Sequence, residues 1–229
     1  MKEENFQTLS AKEINKNIYD HVREIGREFR AGFEVMKKYQ KSVTIFGSAR
    51  SKPDSFHYKQ AESISAKIAR DTGYAIITGG GPGIMEAASK GAYEAGGKVL
   101  GLTIKFPRGQ ITNKYLTESY QFNYFFIRKA IMTFSAEAFL FFPGGYGTAD
   151  ELFNILNLTQ TQKIPLVPII LVGKDFWEPM RGFLHDHMLE HHHTISEEDM
   201  KSFIITDDPD EILRVISRAH VSGWWNVMD

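Results

Sequence analysis

An apolar run stops at Pro143 in the stretch FFPGGYGTADELFNIL, residues 141–156. Gly144, Gly145 and Gly147 follow, and a helix-prone segment then opens with Thr148, Asp150 and Glu151. A plain strand-to-helix turn needs one glycine or two. The additional glycine frees the backbone to take positive φ and lets a ligand come close. A helix beginning here presents unpaired N–H groups and the positive end of its dipole, which suits an anion and above all a phosphate. The loop is expected to hold a phosphate on the N–H groups of Gly144, Gly145, Gly147 and Thr148, and on the Thr148 hydroxyl. A purely structural reading stands beside it: Thr148 and Glu151 have the T-x-x-E spacing of a capping box, which needs no ligand.

Two other loops have a similar character, GSAR at 47–50 and TGGGPGIME at 78–86. Neither glycine-rich loop carries the Gly-Lys-Ser/Thr of a P-loop. The dinucleotide fingerprint is out of register, because counting from Gly79 puts Ile84 where the third glycine belongs. Triphosphate hydrolysis and nicotinamide chemistry lose support, and a single phosphate on a small nucleotide is the simpler ligand.

Such loops need a scaffold, and the surrounding text supplies one. SVTIF, YAIIT, KVLGLTI, AFLFF, PLVPIILV and SFIIT are continuous apolar runs, as expected of strands buried on both faces. They alternate with helix-periodic segments such as HYKQAESISAKIARDT, which Gly73 should stop. The stretch KFPRGQITNKYLTESYQ reads as less regular, and FNYFFIRKAIMTF as a strand end running into a helix. The alternation predicts an α/β, Rossmann-like, doubly wound parallel sheet flanked by helices. The three loops then share the sheet edge where such folds bind ligands. Residues 1–40 form an N-terminal helical extension, with Ile18, Val22, Ile25, Phe29 and Phe33 at helical spacing. That apolar stripe either packs on the main unit, 41–229, or pairs with another subunit.

Bulk properties narrow the classes. The 229 residues are 42% hydrophobic and 24% charged, ordinary for a globular protein. A net charge of −1 offers no basic excess for nucleic acid. With no cysteine, disulfides, thiolate zinc sites and a thiol nucleophile are excluded. No apolar stretch is long enough to span a bilayer, and the start has no signal-peptide character, so a cytoplasmic protein is expected.

GGGPGIMEAASKGA, FFIRKAIM and PGGYGTADE together resemble the LOG-type (Lonely Guy) phosphoribohydrolases, formerly labelled "lysine decarboxylase-like". The resemblance runs from about Ser42 to His220. It implies hydrolysis of AMP or a cytokinin riboside 5′-monophosphate to free base and ribose 5-phosphate. It also implies a homodimer or higher homo-oligomer and no metal or organic cofactor. It places the catalytic pair at Arg128 and Glu151, with Lys129 in the neighbouring basic position. Gly144, Gly145, Gly147 and Thr148 match the phosphate loop; Gly80, Gly81, Gly83 and Met85 match the opposite wall; Ser48 and Arg50 match the first-strand motif. One departure concerns base specificity: an acidic residue usual after the third strand is missing from KFPRGQITN, and Arg108 stands nearby.

The chemistry is physically sound. Breaking an N-glycosidic bond builds positive charge on the ribose, as in glycoside hydrolysis. A carboxylate beside the ring stabilises that charge and can orient or deprotonate water. Glu86 is either a second such carboxylate or a first-turn residue favoured by the helix dipole. A non-catalytic carrier of a nucleotide or a molybdopterin-type cofactor is the alternative, and a pure binder has no need of both Arg128 and Glu151. His187 and His191, four apart, are better read as a polar helix end than as a metal pair. Tyr124 to Phe126 read as core rather than as a base-stacking platform, with the alternative that one of them borders the purine, and Trp224-Trp225 as an anchor for the tail, on the core or on a subunit. The older decarboxylase label would require a lysine Schiff base to pyridoxal phosphate, and no lysine is singled out for it.

Overall fold

A computed structural model of the chain describes residues 11–106, 111–134 and 136–219. Arg108 and Trp224-Trp225 lie outside them. Helix α1 (Ala11–Met36) leads into β1 (Ser42–Phe46), α2 (Phe56–Thr72), β2 (Ala75–Thr78), α3 (Ile84–Glu94) and β3 (Val99–Ile104). Then come β4 (Glu118–Phe122), α4 (Phe125–Thr133), β5 (Ala136–Phe141), α5 (Tyr146–Gln160) and β6 (Ile169–Leu171). Helix α6 (Lys174–Phe183), a π-helical stretch (Leu184–His191), β7 (Ile204–Ile205) and α7 (Pro209–Arg218) complete it. The strands form one sheet in the order β4-β3-β2-β1-β5-β6-β7, and every pairing is parallel.

Both faces of the sheet are covered, which is why the strands read as unbroken apolar runs. Val43, Ile45, Ile76 and Leu140 pack against α2, α3 and α7. Phe46, Ile77, Phe139 and Phe141 face α4, α5, α6 and the end of α1. Helix α2 starts at Ser55, whose side chain accepts from the Tyr58 amide, and stops at Gly73 with φ +69°. Strand β4 lies mostly in the stretch expected to be irregular, and its last residue, Phe122, is where a strand end was expected. It is an edge strand with alternating exposure and polar residues, so it lacks the apolar run that marks the others.

Helices α2 and α3 approach closely because α3 carries only small residues there, Ala87, Ala88, Gly91 and Ala92. A Cβ on Gly91 would lie 1.9 Å from the Glu62 carbonyl oxygen, which belongs to backbone and cannot swing away. Gly91→Ala is expected to cost about 1–3 kcal/mol. At about 2–4 °C per kcal/mol for a chain of this size, thermal unfolding will register the loss.

Helix α1 divides into two halves. Ile25, Phe29 and Phe33 pack on the core, whereas Ile18 and Val22 are exposed. At its end Glu118 accepts from the Lys38 ammonium at 2.7 Å and from the Tyr39 hydroxyl at 2.9 Å. Burial, aided by the Glu118 carboxylate, pushes the Tyr39 phenol up to about 12. No helix of the described residues is long and apolar enough to cross a membrane.

Candidate active site

Strand order reverses between β1 and β5: the chain builds outward from β1 to β4 and then returns to the other side of β1. A crevice opens there, beyond the carboxyl ends of the strands, as in other open α/β sheets. It is a cavity of about 810 Å³, bordered by the loops after β1, β2 and β5 and by one face of α4. Backbone hydrogen bonds tie the loops together. Ser48 N–H donates to the Pro143 carbonyl at 3.0 Å, and Ile84 N–H donates to the Ser48 carbonyl at 2.9 Å.

The β5 loop delivers the N-terminus of α5. The helix begins at Tyr146 with Gly145 as N-cap, and no side chain caps it. The capping-box reading fails on this point: Gly145 and not Thr148 is the N-cap, and neither Thr148 nor Glu151 makes a cap bond. Ala149 N–H is the first to reach an intrahelical acceptor, the Gly145 carbonyl at 3.0 Å. Gly144, Gly145, Tyr146, Gly147 and Thr148 all line the cavity. Thr148 is buried over Gly144, and a Cβ on that glycine would sit 2.1 Å from the Thr148 Oγ1. The uncapped helix end thus opens on the cavity, with a buried hydroxyl beside it.

Glu151 follows one turn into α5. It is only 7% exposed, yet it lines the cavity, and its Oε2 has no hydrogen-bond partner among the described residues. Burial raises its pKa above the usual carboxylate value; the charges of Arg128 and Lys129 pull it back, and Asp150 adds a smaller push upward. Arg128 reaches the cavity from α4, its Nε donating to the Leu102 carbonyl at 2.7 Å. Burial lowers the pKa of its guanidinium, and the Glu151 charge opposes that. Room for it exists because Gly79 lacks a side chain: a Cβ there would lie 2.4 Å from the Arg128 Nη2.

Of the residues expected from sequence, Ser48, Arg50, Met85, Arg128, Gly144, Gly145, Gly147, Thr148 and Glu151 meet around this cavity. Ser48 Oγ accepts from the Arg50 amide at 3.1 Å and shapes its loop. Gly80, Gly81, Gly83, Glu86 and Lys129 are absent from the lining. Gly80 has φ +69°, and Asn113 binds the Gly80 carbonyl through its amide N–H and the Gly81 carbonyl through its side chain. Gly83 has φ +71°, and a Cβ on it would lie 2.2 Å from the Ser48 carbonyl oxygen. These glycines shape the wall from behind. Glu86 is half-buried in the first turn of α3, where its charge adds to burial in pushing the Tyr58 phenol up to about 12. Lys129 pairs with Asp150 at 2.6 Å and lines a neighbouring cavity with Phe126 and Phe134.

Sequence reasoning missed Gly79, Tyr146 and Asp150 as lining residues. It favoured the core for Tyr124 to Phe126 over a place beside the base, and Phe125 lines the cavity. Phe125 and Phe126 are 55% and 53% exposed, because α4 turns that end outward at the cavity mouth. Phe125 meets Phe106 edge-on, with ring centroids 5.7 Å apart. Exposure of an aromatic at a helix start leaves no sequence signal. The histidine-rich stretch forms a π-helical turn, and among the described residues no group of three or more His, Asp or Glu is placed to hold a metal.

A parallel doubly wound sheet, with an uncapped helix end and a buried carboxylate at its switch point, defines a Rossmann-like α/β protein whose candidate site lies where such folds bind ligands. Comparison with known proteins supplies the family. Residues 85–216 match the family model described as "Possible lysine decarboxylase". The chain belongs to this family, which includes the LOG-type proteins its motifs resemble. A cytokinin riboside 5′-monophosphate phosphoribohydrolase of Rhodococcoides fascians is 26% identical over 152 residues, spanning 66% of this chain and 77% of that protein. The rice (Oryza sativa subsp. japonica) enzyme of that name, LOG, is 30% identical over 155 residues; the match spans 66% of this chain but only 62% of the rice protein. In fold, the chain is similar to the molybdenum cofactor carrier protein of Chlamydomonas reinhardtii, with a TM-score of 0.60 at 20% identity, covering 78% of this chain and 97% of that one.

The family description suggests pyridoxal phosphate, and the residues do not fit it. A Schiff base needs a lysine in the cavity. Among the described residues no lysine lines it, and the neighbouring Lys129 is paired with Asp150 at the cavity's edge.

Proposed function

We propose that the protein hydrolyses the N-glycosidic bond of a nucleoside 5′-monophosphate, AMP or an N6-substituted relative, to free base and ribose 5-phosphate. The observation that carries this reading is the Glu151 carboxylate, buried in the cavity wall with an unpartnered oxygen one turn from an uncapped helix N-terminus. A bound 5′-phosphate takes the helix N–H groups and the Thr148 hydroxyl. The ribose then lies about one helical turn away, roughly 5 Å along α5, beside Glu151. As the bond to the base stretches, the ribose becomes cationic, and Glu151 stabilises it and orients the attacking water. Arg128 favours the ionised form of Glu151 against the push of burial and faces the leaving base or the ribose hydroxyls. Phe125 offers the base an apolar face at the mouth.

A carrier of a phosphorylated cofactor is the second reading, supported by the likeness in fold to the algal carrier protein. Incubation with nucleoside 5′-monophosphates, the matching nucleosides and free lysine separates the two. Base released from a monophosphate and not from its nucleoside is the expected result. Tight nucleotide binding with no base released from any of them would favour the carrier.

A further inference from the structure

We infer that Glu28, on the N-terminal helix, is a positioning residue that fixes the start of α4 and thereby the placement of Arg128. The inference builds on the role proposed for Arg128.

Helix α4 has no side-chain cap of its own: Tyr124 is the N-cap and makes no such bond. Glu28 supplies the cap from a helix nearly a hundred residues earlier in the chain. Its Oε1 accepts from the Asn123 amide at 2.9 Å and from the Asn123 side-chain amide, and its Oε2 accepts from the Tyr124 amide at 3.4 Å. Glu28 is 4% exposed. A buried carboxylate is tolerated when its oxygens are satisfied, and the N-terminus of a helix adds a favourable dipole. The next turn of α4 ends on Arg128, whose N–H donates to the Tyr124 carbonyl at 3.2 Å. The capped residue and the cavity arginine are therefore linked by a single hydrogen-bonded turn.

Phe29, His21 and Gly32 of α1 also meet α4 or its N-cap residue. Phe29 lies beside Phe126, with ring centroids 6.4 Å apart, and His21 Nδ1 is 3.1 Å from the Tyr124 hydroxyl. A Cβ on Gly32 would sit 2.7 Å from the Ile131 side chain, so the two helices run in close contact. A segment outside the glycine-rich loops thus becomes part of the site.

The test compares Glu28→Ala, Glu28→Gln and Ile25→Ala in the full chain, using AMP hydrolysis and amide exchange. Misplacing a catalytic group by about 1 Å costs up to about 100-fold, so kcat of Glu28→Ala should fall about 10- to 100-fold with KM within about twofold. Exchange of the Asn123 and Tyr124 amides should speed up by about tenfold or more as their acceptor is lost. Glu28→Gln keeps one acceptor oxygen and should recover part of kcat. Ile25→Ala, which loosens α1 without touching the cap, should lower Tm and leave kcat unchanged. Wild-type kcat in Glu28→Ala, an equal loss in Ile25→Ala, or unaltered exchange at Asn123 and Tyr124 would overturn the inference. A wild-type chain inert toward every monophosphate would instead sink the proposed function, and the exchange rates would still decide the role of Glu28.

Discussion

Glu151→Gln is expected to lower kcat for base release by about 10²- to 10⁴-fold, the range for removal of a general base. The same substitution should raise thermal stability at neutral pH. The two effects have one cause. Burial holds the Glu151 pKa above the usual carboxylate value, so the ionised form is the one the fold disfavours. In the unfolded chain the group titrates at about 4.3. Below that pH it is neutral in both states, and glutamine brings no advantage. As pH rises through the higher folded value, the native protein must bury a charge, and the wild type loses stability that the glutamine variant keeps. The variant's Tm gain should therefore be absent at about pH 4 and grow toward pH 7, at about 2–4 °C per kcal/mol. A stability cost at an active site is a familiar trade against activity. Turnover near wild type in Glu151→Gln would remove Glu151 from the mechanism. Equal Tm values across the whole pH range would mean that the carboxylate is less strained than its burial implies.

Arg128→Met should give the second large effect, a fall in kcat/KM of about 10²- to 10³-fold, typical of losing a preorganised charge in a site. It should also move the acid limb of the pH profile upward. The Arg128 charge lowers the Glu151 pKa against the push of burial. Without it burial is opposed only by the weaker influence of Lys129, and Glu151 ionises only at higher pH. The profile of kcat/KM reports the free enzyme, so the shift is read there. Arg128→Lys separates charge from shape. A lysine keeps the acid limb near its wild-type position, but it lacks the planar fork that bonds the Leu102 carbonyl, and turnover stays low. An acid limb that stays in place in Arg128→Met would show that the two groups do not titrate together.

The alternation of strands and helices was legible because both faces of the sheet are buried, which leaves unbroken apolar runs such as AFLFF. Edge strand β4 was legible only at its end, Phe122, because one of its faces meets water and ESYQF alternates. The β5 loop was legible as a ligand loop, since three glycines before a helix exceed what a turn requires. Its helix start was not, because Thr148 and Glu151 imitate a capping box that the backbone does not form.

Residue identities and local spacing determined the strands, the helices and the glycine-rich loops, all of which depend on neighbours within a few positions. Tertiary structure decided what those pieces do together. Gly79 matters because Arg128 folds over it, Gly83 because the Ser48 carbonyl is pressed against it, and Glu28 because α1 reaches the start of α4. These contacts join residues far apart in the chain. Their strength comes from close approach and from exclusion of water, and no local pattern of residues encodes either.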